Sequence, residues 1–398
     1  MKTYKLSELY EMSSGISSKK EQAGHGSPFA SFSTVFNNTY LPDVLPDLMD
    51  TSEKEKETYS IKAGDIFLTR TSETLDELGM SSVAVKDYPN ASYSGFLKRL
   101  RPTQKNITYA KFMAFYLRSY LFRKTMNNNA TMTLRASLNE QIFSYLDIVL
   151  PEYNEQIKIG DLFHKISQKI AINNKINQEL EAMAKTLYDY WFVQFDFPDK
   201  NGKPYKSSEG KMIFNEELKR EIPVGWEVKE LASKADFKNG KGMKKELLSD
   251  IGKTPVFGSN GIVGKTEKSL FNNTVIAIGR VGANYGEIHY SIDPCWITDN
   301  AVTSQPKSEI YLWWLLLTLK TINYSNISGG SAQPLITQGK LKALQFPIPN
   351  SFLLDEFHKI ANPNYIKINN ILKQNQKLSE LRDWLLPMLM NGQVSVGE

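Results

Sequence analysis

Several tracts of this chain occur twice, in the same order, and that duplication limits the fold more than any other feature. FHKI stands at Phe163–Ile166 and again at Phe357–Ile360. INN follows at Ile172–Asn174 and Ile368–Asn370, the spacing being two residues longer in the second copy, where Pro363 falls. Upstream, LDIVLP (Leu146–Pro151) parallels LQFPIP (Leu344–Pro349), each an apolar run closed by proline. Further back, DIFLTR (Asp65–Arg70) matches VIAIGR (Val275–Arg280), and YKLSEL (Tyr4–Leu9) lines up with WEVKEL (Trp226–Leu231). Each half therefore reads as a globular α/β segment, a proline-closed strand and a long helix.

The helices carry a legible seam. Ile159, Phe163, Ile166 and Ile170 recur at alternating four- and three-residue spacing, as do Leu180, Ala184, Leu187 and Trp191, which is the pattern of a coiled coil. Asn173 and Asn177 fall on that seam, either as buried amides that fix register at a cost in stability or at a solvated stretch. The second helix shows Phe357, Ile360, Tyr365, Ile368, Ile371, Leu378, Leu381 and Leu385, with Asn375 on the stripe. Pro363 should delay its start or kink it. Helices of ~40 residues are ~60 Å long, too long to be buried inside either half, so their natural partner is each other. The expected class is α/β (α+β): two globular domains and two long helices paired as an antiparallel coiled coil, in a pseudo-two-fold repeat. The boundaries read as 1–150 and 223–350 for the globular domains, 151–195 and 351–390 for the helices, 196–222 for a linker and 391–398 for a tail. Asp196–Lys211, polar with Gly, Pro and Ser, reads as exposed.

At 398 residues, two or more domains are expected, and 41% hydrophobic with 23% charged residues is ordinary for a folded chain. The net charge of +5 permits a polyanionic partner without demanding one. A single cysteine, Cys295, excludes an intrachain disulfide and fits a reducing compartment. The opening MKTYKLSELYEMSSG has no apolar run of the kind a signal peptide needs, and Ile310–Leu319 is about half a membrane span. The expectation is a cytoplasmic protein without a membrane segment.

Several strings imitate active sites. NPNY (Asn362–Tyr365) is similar to the NPPY of adenine-N6 methyltransferases but interrupts a helical stripe and has no Gly-rich cofactor loop to face. Pro198, Asp199, Glu209 and Lys211 spell a PD…ExK nuclease signature, which needs carboxylates on adjacent strands around a metal. GRVGANYG (Gly279–Gly286) is spaced unlike a dinucleotide loop. The histidines His25, His164, His289 and His358 lack metal-ligand spacing, with one another or with Cys295; His164 and His358, both within FHKI, read as packing residues. No catalytic, cofactor or metal site is expected.

What remains is recognition chemistry. Lys19 and Lys20 follow the first strand in a Ser/Gly-rich loop, and Lys241, Lys244 and Lys245 occupy the matching loop of the second half; they suit phosphate contact, or are surface charges. Arg70 and Arg280 each leave a strand, where a guanidinium can fork onto guanine. Ser259 and Asn260 stand at the tip of PVFGSNGIVG, where an amide can read adenine. Thr71, Arg135 and Gln333 complete the candidate DNA-binding set.

The duplicated layout resembles the specificity subunits of Type I restriction–modification enzymes over essentially the whole chain. The most specific stretches are IPVGWEVKEL (Ile222–Leu231), GSAQPLI (Gly330–Ile336) and PVFGSNGIVG followed by VIAIGRVGANYG. GSPFASFSTVF (Gly26–Phe36) and FLTRTSE look like a different recognition-domain type. The resemblance implies a non-catalytic subunit whose two target-recognition domains each read half of a bipartite double-stranded DNA site. It implies helices that set the unread spacer and present surfaces to two methyltransferase subunits, with motor–nuclease subunits outside them. S-adenosylmethionine, ATP and Mg would then reside on those partners. The alternative is a catalytic methyltransferase or nuclease with fused recognition domains.

Overall fold

The computed structural model describes residues 1–17, 19–72, 77–129, 131–132, 136–137, 140–249, 251–329 and 334–397. The chain forms two compact units, Met1–Ile172 with Gln374–Glu398, and Asn173–Lys373.

In the first unit the strands with a counterpart in the second are β1 (Lys2–Lys5), β2 (Tyr10–Ser14), β3 (Ala23–Ala30), β4 (Asp47–Met49), β5 (Ile66–Thr69), β6 (Ser81–Val83), β7 (Ser92–Tyr93), β8 (Leu97–Pro102) and β9 (Asp147–Leu150). They form a four-stranded sheet ordered β2-β8-β5-β6, a three-stranded sheet β4-β3-β7 and the pair β1-β9. The second unit has β10 (Glu227–Glu230), β11 (Ala235–Asn239), β12 (Thr254–Gly258), β13 (Gly261–Thr266), β14 (Val275–Gly279), β15 (Ile288–Ser291), β16 (Trp296–Ile297), β17 (Ala301–Pro306) and β18 (Gln345–Ile348). Its sheets are β11-β17-β14-β15, β13-β12-β16 and β10-β18. The order is the same, strand for strand.

The register is repeated too. Thr69 faces Leu97 as Gly279 faces Ala301, and Tyr10 faces Pro102 as Ala235 faces Pro306. β3 lies parallel to β7 through Phe29 and Ser92, as β12 lies parallel to β16 through Val256 and Trp296. The all-buried β5 and β14 explain why DIFLTR and VIAIGR match as continuous apolar runs, the signature of a strand covered on both faces. The units differ in what is inserted between these strands, most clearly after β3. Between β3 and β4 the chain passes through a helix, Phe32–Asn37, capped by Ser31, whereas β12 and β13 join through a tight turn at Ser259 and Asn260. Part of the different look of the first half lies in this insertion, while the strand frame is shared.

The long helices run from Tyr153 to Tyr188 and from Ser351 to Met390, the first continuing into a π-helical turn, Asp189–Val193. In the first unit the start of the central helix (Ile159, Phe163, Ile166) shares a core with the end of the C-terminal helix (Leu389, Met390) and with Leu68, Phe115 and Ile148. In the second unit the end of the central helix (Ala184, Tyr188, Trp191) packs on the start of the C-terminal one (Phe357, Ala361, Tyr365), beneath Ile276, Val302 and Trp314. Start meets end in both, so the pairing is antiparallel. Each fully buried Phe, Ile or Leu here contributes about 1.5–3 kcal/mol. The seam amides are buried: Asn173 is 1%, Asn177 7% and Asn375 9% exposed.

Several expectations need correction. The C-terminal helix is unbroken at Pro363; that residue stands on the exposed side, where water can satisfy the carbonyl that loses its N–H partner. Ile360 and Leu381 are exposed, and Ala361 takes the seam position beside Phe357. INN is not an equivalent pair: Ile172 is exposed while Ile368 is buried, because two added residues turn a helical face by about 200°. YKLSEL was aligned on Leu9, but it is Leu6 that bonds to Leu146 as Leu231 bonds to Leu344. The polar stretch 196–211 is exposed over most of its length yet ordered: Ser207 donates to buried Asp196 through both its N and Oγ, and Phe197 stacks between Tyr205 and Trp226. The apolar run at Ile310–Leu319 is largely a buried helix, Leu312–Thr321. Among the described residues no helix is long and apolar enough to cross a membrane.

Candidate nucleic-acid interface

In each unit four chain segments meet beyond the ends of the four-stranded sheet, held by the same backbone hydrogen bonds. In the second unit Lys241 N donates to Ile297 O, Thr298 N to Phe257 O, Ala301 N to Thr298 O and Arg280 N to Asn300 O. In the first, Ile16 N donates to Tyr93 O, Ser94 N to Ala30 O, Leu97 N to Ser94 O and Arg70 N to Phe96 O. Gly15 and Gly240 allow this approach: a Cβ at Gly15 would lie 2.4 Å from Ser94 O, and one at Gly240 2.1 Å from Thr298 O. No other residue fits there without moving backbone.

In the second unit this geometry gathers Lys241, Ser259, Asn260 and Arg280 around the turn 298–300. Arg280 is half-buried and pinned at both backbone ends, its carbonyl accepting from Ile336 N at 3.0 Å. Its Nη1 lies 3.5 Å from Asp299 O, and its buried Nε has no partner. Ser259 Oγ donates to Val281 O at 2.6 Å, so that hydroxyl positions the arginine loop. Asn260, Asp299 and Asn300 are exposed beside it. Trp296 Nε1 donates to Lys241 O at 2.7 Å, fixing the backbone of an otherwise exposed lysine. Lys244 and Lys245 are exposed at a single 3-10 turn, Lys245–Leu247.

In the first unit Arg70 is exposed next to Phe96, and Thr71 opens a two-residue strand, Thr71–Ser72. Lys19 and Lys20 are exposed at the turn Lys20–Gln22, which Gln22 ties to Asp50. Arg135 and Gln333 lie outside the described residues. The other cations of β8 are engaged within the fold. Lys98 Nζ donates to Ser14 Oγ, Arg99 donates to Ser60 O, and Arg101 grips buried Asp65 through two hydrogen bonds, at 2.7 and 2.6 Å. Sequence reasoning missed Phe96, Asp299 and Asn300. The signal was available in SYSGFLKRLRP and WITDNAVTSQP, whose prolines, Pro102 and Pro306, align the two turns.

The strings that imitate active sites have packing roles. Asn362 Oδ1 accepts from Trp313 Nε1 at 2.9 Å and Tyr365 stacks on Trp313 at 3.9 Å, so NPNY seats the C-terminal helix. Asp199 Oδ1 accepts from Asn201 N and Lys203 N in a turn, and Glu209 follows a 3-10 turn in left-handed backbone. Gly286, at φ 83, leaves no room for a side chain against Tyr324. Cys295 is buried, and burial pushes its thiol up to about 11. Burial also holds His164 and His358 below the usual imidazole value, each with its Nδ1 unpartnered. No group of three or more metal-ligating side chains occurs among the described residues.

Known proteins are similar to this chain in sequence and fold. The Type I restriction enzyme MjaIX specificity subunit of Methanocaldococcus jannaschii is 25% identical over 341 residues, covering 79% of this chain and 76% of that one. The HindI specificity subunit of Haemophilus influenzae is 23% identical, covering 92% and 94%. The solved S subunit of a Type I restriction–modification system from M. genitalium shares the fold at a TM-score of 0.66 and 16% identity, covering 98% of this chain and 95% of that one. The family described as the Type I restriction modification DNA specificity domain matches residues 1–182 and 223–377, the two copies of the repeat. This chain belongs to the Type I restriction–modification DNA specificity family.

Proposed function

We propose that the chain recognises a bipartite double-stranded DNA site, the domain 1–150 reading one half and the domain 223–350 the other. The observation that carries this reading is the twofold occurrence of one pinned loop cluster, each with an arginine leaving the same strand end, at Arg70 and at Arg280. Arg70 and Arg280 fork onto base edges, with Thr71 and Asn260 beside them. Lys19, Lys20, Lys241, Lys244 and Lys245, with Arg135 and Gln333, add phosphate and groove contacts. The family is the specificity component of its systems, not the catalyst. The chain therefore works through partners in the cytoplasm: two methyltransferase subunits that bring S-adenosylmethionine to adenine N6, and motor–nuclease subunits that bring ATP and Mg.

Mapping methylated adenines for the chain assembled with its cognate methyltransferase subunits should return two half-sites around an unread spacer. Replacing residues 1–150 with the first domain of another family member should change one half-site and leave the other intact. A change in both, or no sequence preference at all, would sink the reading.

A further inference from the structure

We propose that Phe96 is a specificity-determining residue of the first unit, reading the C5-methyl of a thymine, at the position where the second unit presents Asn300. The inference rests on the reading of the two units as DNA-recognition domains.

An isolated exposed apolar side chain is ordinary on a protein surface. What distinguishes Phe96 is its seat. The ring is 67% exposed, yet its backbone is among the most constrained in the unit. Phe96 N donates to Ser94 Oγ and Phe96 O accepts from Arg70 N. The preceding Gly95 N donates to Ile16 O at 2.7 Å, and the following Leu97 N donates to Ser94 O. Gly95 is so close to its neighbour that a Cβ there would lie 2.8 Å from Ile16 O. A turn held this firmly loses little conformational freedom when its tip meets a ligand, which is what a preorganised contact requires.

The internal repeat then supplies the second observation. Asn300 O accepts from Arg280 N as Phe96 O accepts from Arg70 N, so the two residues occupy one place in one frame. Around it the units diverge in one direction. The second unit presents Lys241, Asp299 and Asn300, all exposed and able to hydrogen-bond. In the first, Ile16 is buried and Gly95 has no side chain, so the turn presents Phe96 alone. Arg70 remains as the neighbouring exposed hydrogen-bond donor. Among the features a duplex shows in the major groove, the thymine methyl is the one an apolar ring complements.

The test uses the assembled complex and its mapped site, with each thymine of the first half-site replaced in turn by deoxyuridine, which removes only the methyl. At one position the wild-type complex should bind about four-fold more weakly, the worth of one buried methyl group. Phe96→Ala should erase that difference while leaving preferences in the second half-site unchanged, and Phe96→Leu should retain it. Because the side chain is exposed, both variants should melt with the parent. Deoxyuridine effects of unchanged size in Phe96→Ala, losses equal on both duplexes, or a first half-site without thymine would each overturn the assignment. A complex that still reads its mapped site would leave the DNA-reading function standing, whereas loss of all sequence preference by the parent would overturn both.

Discussion

The two recognition tips share a scaffold down to single backbone hydrogen bonds and differ in nearly every side chain they expose. In the second unit Lys241, Asp299 and Asn300 are exposed around Arg280; in the first, Ile16 is buried and Phe96 stands exposed beside Arg70. The difference teaches where such a chain is free to vary. Residues whose N–H and C=O join the segments, and the glycines that let them approach, are constrained by geometry. Side chains such as Ser94, Ser259 and Trp296 join in that bracing, whereas exposed ones such as Phe96 and Asn300 can change without refolding the unit.

The cores beneath the tips differ as well, and truncation there should have the largest effect on stability. Phe357 is fully buried among Tyr188, Trp191 and Phe192, with ring centroids 6.4, 6.1 and 5.0 Å away. Phe163, its partner in the repeat, has a ring contact with Phe115 at 5.0 Å. Removing a buried phenyl costs about 3–5 kcal/mol; Phe357→Ala is expected near the top of that range and Phe163→Ala near the bottom. Tryptophan fluorescence during chemical unfolding reports the second unit, which holds every tryptophan except Trp384. Phe357→Ala should shift that transition strongly and Phe163→Ala weakly. Equal shifts would mean that the units unfold as one.

A smaller effect separates the tips. Arg280→Ala should weaken binding of the mapped site by about 1–3 kcal/mol, the worth of a bidentate base contact, with a lesser loss on random duplex. Its damage should be confined to one half-site, and that of Arg70→Ala to the other. Arg280, whose guanidinium is half-buried and held near Asp299 O, should lose more than exposed Arg70. Uniform losses on target and random DNA would reassign either residue to a phosphate.

The equivalence of these arginines was legible in the sequence to the residue, because DIFLTR and VIAIGR are apolar strand runs of one length that each end in the arginine. LDIVLP and LQFPIP were legible because each is a short apolar strand closed by a proline. YKLSEL slipped because Leu6 and Leu9 are both buried one turn apart, so either leucine satisfies a hydrophobic match. INN misled because identity of letters does not survive a change of helical phase. Phe96 and Asn300 were missed because their place is set by hydrogen bonds to Arg70 and Arg280, far away in the chain, which no local periodicity encodes; only the alignment of the two turns on Pro102 and Pro306 betrays it.

The finest distinction between the units is electrostatic and lies where the repeated FHKI meets each head. His164 and His358 are both held below the ordinary imidazole value, in each case chiefly by burial. Beside His164 the Lys111 ammonium pushes the same way, opposed by Asp161, and the Tyr40 ring stands edge-on at 4.7 Å. Beside His358 the charged neighbours, Glu309 and Asp355, both oppose the effect of burial. A histidine whose folded value is depressed takes up its proton more readily once unfolded. Each therefore leaves the fold's stability intact above the unfolded value of about 6.5 and erodes it as pH falls from there towards the folded value. Replacing either histidine by glutamine removes that proton-linked loss. Since Lys111 adds to burial in the first unit while two carboxylates offset it in the second, His164→Gln should flatten the acid limb of the stability curve more than His358→Gln does. Unfolding midpoints measured from pH 7.5 down to about pH 5, across the unfolded imidazole value, would decide the matter: a larger gain for His358→Gln, or parallel curves for both variants and the parent, would show that burial and neighbouring charge do not set the protonation of these side chains.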